Sequence, residues 1–219
     1  MRRCVVKPAT TNFGIGIHFI PKNSPYAWRE AIHACFKLSG TVVAETFIQG
    51  KEYRFLVIGN AVNGIVYREP ANIIGDGISR IKNLVQAKNE NPNYYRFPYF
   101  LKLEKFELNF LKAQGLTPTS ILPQGKKIYL RENSNISTGG DSIDVTDSVP
   151  NFFHSIALKS AKACGAKICG VDMIIPSFSG QNYAIIELNY NPAIFFHSVP
   201  FQGKDRDPGS ALLKLFNLI

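Results

Sequence analysis

The chain has 219 residues, 45% of them hydrophobic, which is enough to bury a real core as one large domain or two small ones. Lysine and arginine number 25 against 16 aspartate and glutamate, a net charge of +9, so the surface is expected to attract anions; the basic residues are scattered, which favours a local anionic ligand over a nucleic-acid track. No apolar run reaches 18 residues and residues 1–8 lack the apolar stretch of a signal peptide, so no membrane partner and a soluble, cytoplasmic protein are expected.

In chain order, Val5-Val6 closes a strand that runs into Lys7-Pro8. Residues 9–16 follow, small and hydroxyl-rich with glycines at 14 and 16. Free backbone N–H groups in such a loop can curl around phosphate, with Lys7 as a point charge, although no Walker GKS or GKT is present and a plain glycine turn reads the same way. Ser24-Pro25 is an N-cap followed by proline at the first helical position. Trp28, Ala31, Ile32, Cys35 and Phe36 then recur at helical spacing to about Leu38, so Trp28 is read as core. Thr41 to Ile48 is a predicted strand, residues 49–51 turn, and Glu52 to Ile58 is a second strand with Glu52, Arg54 and Leu56 on one face. A third strand ends at Arg68-Glu69-Pro70. Arg54 and Arg68 on adjacent strands form a candidate cationic wall, since a guanidinium fork accommodates two carboxylate or phosphate oxygens, and a pair of solvated surface charges reads the same.

Ile78, Ile81, Leu84 and Val85 mark an amphipathic helix stopping near Asn91-Pro92, and a second helix is predicted from about Leu101 to Ala113; residues 93–100 have no readable pattern. Lys126 to Arg131 is a strand leading into residues 132–142, where amides, hydroxyls and glycines supply donors suited to phosphate or carboxylate, or else a surface loop. A helix over about 151–165 is expected to turn Phe153, Ile156, Ala157 and Cys164 inward. The four cysteines form no CxxC pair and no zinc-like spacing with histidine, and are read as buried thiols.

Two β-rich runs, residues 170–175 and 182–191, flank a connector of Pro, Ser, Phe and Gly in the pattern of an antiparallel hairpin. Asp172 lies on the first run, and Glu187 and Asn189, two apart, point the same way on the second. Three oxygen donors on one face would suit a hard cation such as Mg²⁺, and an ordinary polar outer face would look no different from spacing alone.

The long runs "LRENSNISTGGDSIDVTDSVP", "GAKICGVDMII" and "IELNYNPA" resemble the ATP-grasp module of the bifunctional glutamate–cysteine ligase/glutathione synthetase family over nearly the whole chain, with cyanophycin synthetase as a near relative. The resemblance implies an α+β ATP-grasp fold, two subdomains with antiparallel sheets that clamp the nucleotide. About 1–50 would be the lid and hinge and about 51–219 the catalytic and metal-binding part, with an upstream domain missing. It implies that Lys7 contacts the ATP phosphates, that Thr10, Thr11, Asn12, Gly14 and Gly16 belong to the phosphate lid, and that Glu45, Thr46, Phe47 and Ile48 line adenine. Glu52 would bind the ribose hydroxyls. Asp172, Glu187 and Asn189 would hold magnesium or manganese, as two ions bridged by Glu187. Where some ATP-grasp ligases carry an arginine two residues before the aspartate, this chain has Gly170, so Arg131 and then Arg68 are the candidates for oxyanion charge. The implied reaction activates a carboxylate as acyl phosphate and captures it with an amine, with γ-glutamylcysteine and glycine as substrates. Cyanophycin-like ligation and a nucleotide-binding remnant are the alternatives. Apolar surface left by a missing domain would favour association, homodimerisation included.

Overall fold

The computed structural model describes residues 4–11, 15–21, 24–91 and 100–219, and the chain divides into two compact units, Met1–Gln49 and Gly50–Ile219.

In the first unit, β1 (Cys4–Pro8), β2 (His18–Ile20) and β3 (Val42–Thr46) form an antiparallel sheet in the order β2-β1-β3, with α1 (Pro25–Phe36) between β2 and β3 in sequence. Ser24 Oγ accepts from Ala27 N at 3.3 Å, satisfying one of the otherwise orphaned N–H groups of the first turn, and Pro25 occupies a position where no donor is needed. Ala31 and Cys35 of α1 bury against Val6 and Ile20, and Trp28 packs beside them as core.

The second unit is built on β4 (Lys51–Ile58), β5 (Ala61–Glu69), β8 (Asp141–Asp144), β9 (Ile168–Ile175) and β10 (Ala184–Asn189), an antiparallel sheet in the order β10-β9-β4-β5-β8. Strand alternation divides these residues between two faces. Tyr53, Phe55, Val57, Ile65, Cys169, Val171, Met173 and Ile175 form an apolar layer, covered by Phe153, Ala157 and Ala161 of α4 (Asn151–Ala163). Fully burying a side chain such as Phe153 stabilises by roughly 1.5–3 kcal/mol, so this layer holds the sheet and leaves its other face free for polar residues.

A satellite core lies under the ribbon of β6 (Asn72–Ile74) and β7 (Lys127–Tyr129), where Ile73, Ile128 and Leu130 meet Ile81 and Val85 of α2 (Ile81–Asn89) and Leu111 of α3 (Lys105–Ala113). Helix α3 starts four residues later than the sequence pattern suggests. Leu101 is held by Asn89, whose amide accepts from Leu101 N and donates to Leu101 O, both at 2.9 Å, while Glu104 and Glu107 form a reciprocal cap that fixes the first turn. The chain ends in the short α5 (Phe195–Ser198) and α6 (Pro208–Leu215).

The cysteines differ from the expectation. Cys35 and Cys169 are buried, Cys4 is intermediate and Cys164 is exposed. The inward row of α4 runs Phe153, Ala157, Ala161, and Cys164 falls at the C-cap just before Gly165, whose φ of +66° turns the chain away from the helix.

Candidate functional site

The hairpin β9–β10 places Asp172 opposite Glu187, and it does so through a β-bulge. Ala184 and Ile185 pair with Ile174 and Met173, but Glu187, Leu188 and Asn189 pair with Asp172, Val171 and Gly170, so one residue of β10 is extra. Without it, Glu187 would oppose Val171 and turn to the apolar face, because a one-residue slip inverts every side chain. The sequence places the three oxygen donors on two strands; the bulge puts them on one face.

The same face receives Arg54 from β4, which pairs directly with Asp172, and Glu52 two residues before it. Arg54 grips Asp172 through both oxygens, Nε to Oδ1 at 2.7 Å and Nη2 to Oδ2 at 2.6 Å. Arg68 of β5 donates through Nη1 to Asp172 Oδ2 at 3.0 Å and to Glu52 Oε1 at 2.6 Å, and through Nη2 to Asn135 Oδ1 at 2.7 Å. Ser134 Oγ donates to Glu52 Oε2. The Asn189 amide, oriented by its hydrogen-bond network, donates to Glu187 Oε1 and accepts from Arg54 Nη2, each at 3.0 Å. Asp172 has no exposed surface, whereas Glu187 is exposed, so the cluster runs from a sealed floor to solvent.

Burial alone would lower the Arg54 guanidinium; the bond to Asp172 and the charges of Asp172, Glu187 and Glu52 outweigh it and raise the pKa, so the group stays fully charged. Gly170 lies beside it. A Cβ at Gly170 would sit 3.0 Å from Pro192 Cβ and 3.5 Å from Arg54 Cδ and Nε. Arg68 Nε is buried without an acceptor, an unmet donor inside a charged cluster.

Two carboxylates and an amide oxygen are a hard-cation donor set, and the oxygens of Asp172 and Asn189 already converge on a cationic group, the Arg54 fork. The chemistry therefore fits a divalent metal. No group of three or more His, Cys, Asp or Glu among the described residues has a metal-binding arrangement, so any such site depends on the amide.

Of the arginines expected to carry oxyanion charge, Arg68 lies in the cluster. Arg131 bonds Glu107 of α3 and stacks over the Phe106 ring at 5.5 Å. Glu52, expected at the ribose, is held by Arg68 and Ser134. The loop 132–142 supplies Ser134 and Asn135 to the cluster, two residues that the sequence marked only as part of a donor-rich stretch. Arg54 was legible as a cation on the right face, but not as the partner of Asp172.

In the first unit, Lys7 opposes Val43 and reaches diagonally to Glu45, Nζ to Oε2 at 2.8 Å, on the sheet face opposite the buried Val6. Thr10 Oγ1 donates to Ser39 Oγ at 3.0 Å and Thr11 Oγ1 to Ile15 O at 2.8 Å. Gly16 has φ +81°, and a Cβ there would meet Leu38 Cδ1 and Pro8 Cγ at 2.8 Å, so only glycine fits that turn. Phe47 meets Phe19 edge-on at 5.9 Å, while Thr46 pairs with Cys4 and Ile48 lies beyond β3. Asn12 and Gly14 lie outside the described residues.

Sequence and fold comparisons agree with this architecture. No protein-family model matches the chain. It is 49% identical to the glutathione biosynthesis bifunctional protein GshAB of Clostridium perfringens, over 97% of this chain and 28% of that protein, and 47% identical to the protein of the same name from Desulfotalea psychrophila, over 94% and 28%. Among solved structures, a bifunctional glutathione synthetase from Pasteurella multocida is 35% identical with a TM-score of 0.73, covering 100% of this chain and 32% of its own. A D-alanine–D-alanine ligase from Bacillus anthracis is 13% identical with a TM-score of 0.53, covering 99% and 52%, a likeness of fold alone. The fold is the ATP-grasp fold. Within that class the chain is homologous to part of the bifunctional glutathione biosynthesis protein GshAB, and it spans about 28% of the length of those relatives.

Proposed function

We propose that this chain is the nucleotide- and metal-binding part of an ATP-dependent ligase that joins γ-glutamylcysteine to glycine, the glutathione synthetase step. The observation that carries the proposal is the β10 bulge, which gathers Asp172, Glu187 and Asn189 onto one face beside two guanidinium groups, in a chain whose relatives bear glutathione-biosynthesis names. Magnesium, or manganese in its place, would be held by Asp172, Glu187 and Asn189, as two ions with Glu187 shared. When bound it neutralises phosphate charge and aligns the transferred phosphoryl group.

The chain's own part is positioning and charge. Arg68, with an unmet Nε donor, and Arg131, whose Nε bonds Glu107, are the groups assigned to the oxygens of the transferred phosphoryl. Ser134 and Asn135 hold Glu52 and Arg68 in place, so the loop they sit on fixes the geometry of the charged groups. The substrate carboxylate attacks the γ-phosphorus, ADP leaves, and the amine displaces phosphate from the acyl phosphate; the side chains donate hydrogen bonds and form no covalent bond. Lys7, Thr10, Thr11, Asn12, Gly14 and Gly16 are assigned to the phosphates, Glu45 to Ile48 to adenine and Glu52 to the ribose. Lys7 and Glu52 would exchange their present partners, Glu45 and Arg68, for nucleotide atoms.

A cytoplasmic setting suits the free thiols of Cys35, Cys164 and Cys169, and among the described residues no helix is long and apolar enough to cross a membrane. Association of copies through exposed side chains such as Phe216 and Ile219 belongs to the same proposal. The test measures phosphate release and glutathione formation for this chain and for a full-length relative, with γ-glutamylcysteine and glycine each present or omitted. Release that depends on both substrates in the relative, and ATP binding by this chain, is the expected result. Nucleotide binding with no response to either substrate would overturn the substrate assignment.

A further inference from the structure

Asp172 is the most deeply buried acid of the cluster, and its two oxygens are already taken. Arg54 occupies both through its fork at 2.7 and 2.6 Å, and Arg68 adds a third donor to Oδ2 at 3.0 Å. The Arg54 Nη2 that meets Asp172 Oδ2 also meets the Asn189 oxygen at 3.0 Å. Two of the three oxygen donors assigned to a cation are thus bound to one nitrogen of this chain.

We propose that Arg54 and a divalent cation are alternative occupants of the Asp172–Asn189 oxygens: the guanidinium holds the site while no cation is bound and must leave it when one arrives. This rests on the assignment of Asp172, Glu187 and Asn189 as cation donors. The reason is geometric and electrostatic. A hard cation would lie roughly 2.1 Å from each coordinating oxygen, closer than the 2.6 and 3.0 Å at which Nη2 meets the Asp172 and Asn189 oxygens. A doubly charged ion and a guanidinium facing the same lone pairs repel at a separation where little solvent intervenes, and Asp172 is fully buried. With Arg54 withdrawn and no cation bound, Asp172 would keep only the Arg68 contact to Oδ2, and a buried carboxylate that loses a charged partner is destabilised, which is why the fork belongs there in the cation-free protein. On the β9 side the Arg54 stem runs beside Gly170, its Cδ and Nε 3.5 Å from where a Cβ would be.

Lysine at position 54 keeps the charge but cannot form the bidentate fork. Arg54→Lys therefore separates competition for the oxygens from simple charge repulsion. The experiment measures Mn²⁺ binding in the absence of nucleotide by electron paramagnetic resonance of the free ion, for wild type, Arg54→Lys and Glu187→Gln, each checked for folding by circular dichroism. Exchange predicts that Arg54→Lys binds Mn²⁺ about tenfold more tightly than wild type, about 1.4 kcal/mol, while Glu187→Gln loses most binding. A second reading needs no variant. In wild type, the Arg54 Nε–H should be protected from solvent exchange without metal and lose about tenfold of that protection at saturating Mg²⁺, read by nitrogen-detected NMR. Unchanged Mn²⁺ affinity in Arg54→Lys together with persistent Nε–H protection would overturn the exchange and leave the cation site standing. Absence of Mn²⁺ binding in wild type would overturn both.

Discussion

Asp172 and Met173 are neighbours on β9 and face opposite ways from the same sheet. Met173 enters a layer of Tyr53, Phe55, Ile65 and Val171 covered by α4, an apolar layer in which a side chain of similar shape is well tolerated. Asp172 enters a layer of Arg54, Arg68 and Asn189, where both residues of each ion pair are desolvated and the benefit depends on geometry. Both are fully buried. One face holds the sheet together, and the other uses that rigidity to keep like-charged arginines beside one carboxylate.

The sharpest way to break this contrast is to truncate each neighbour in turn. Asp172→Ala leaves Arg54 and Arg68 without their shared acceptor and is expected to cost about 3–5 kcal/mol, as removal of one partner from a buried ion pair does. Met173→Ala is expected to cost about 2–5 kcal/mol through lost contacts and a cavity. Conservative changes should then part the two faces: Met173→Leu should cost less than about 1.5 kcal/mol and spare nucleotide binding, whereas Asp172→Asn should abolish magnesium dependence even where the fold survives. Urea denaturation paired with calorimetric ATP binding reads both quantities.

A smaller effect comes from His197, buried in α5 beside Gly64 with neither ring nitrogen hydrogen-bonded. Burial, and then the nearby Arg54 charge, push its pKa down to about 3. The unfolded chain takes up this proton near pH 6.5 and the folded chain does not until about pH 3, so the unfolded state binds more protons between those values. Stability from this group is therefore fully present above about pH 6.5 and falls with pH toward 3, by at most about 1.4 kcal/mol per unit. His197→Leu should flatten that part of the melting-temperature profile against pH relative to wild type; an unchanged slope would mean the ring is solvated.

What the sequence made legible follows from the same two faces. Alternation along Glu52–Ile58 sorted Glu52, Arg54 and Leu56 onto one side, and the N-cap at Ser24 marked α1, because both signals are local. The oxygen donors on β9 and β10 could be named, yet their meeting depends on one unpaired residue between Ile185 and Glu187, and a bulge leaves no mark in composition. The late start of α3 was hidden for a related reason: Leu101 looks like a helical apolar position, but its backbone is claimed by Asn89. Arg131 stood in a promising motif, and nothing nearby in sequence announced its bond to Glu107, 24 residues away. Long-range pairings of charge were the part that required the fold.

The central claim, that the polar face of β9–β10 is a cation site serving a nucleotide, is tested most directly by titrating magnesium against ATP affinity for wild type and Glu187→Gln. Glu187 is exposed at the open edge of the cluster, so the substitution preserves shape and removes one charge without disturbing Asp172. The expected result is ATP binding that strengthens with magnesium in wild type and loses that dependence in Glu187→Gln. Wild-type magnesium dependence retained by Glu187→Gln would contradict the account and make the hairpin's polar face purely structural.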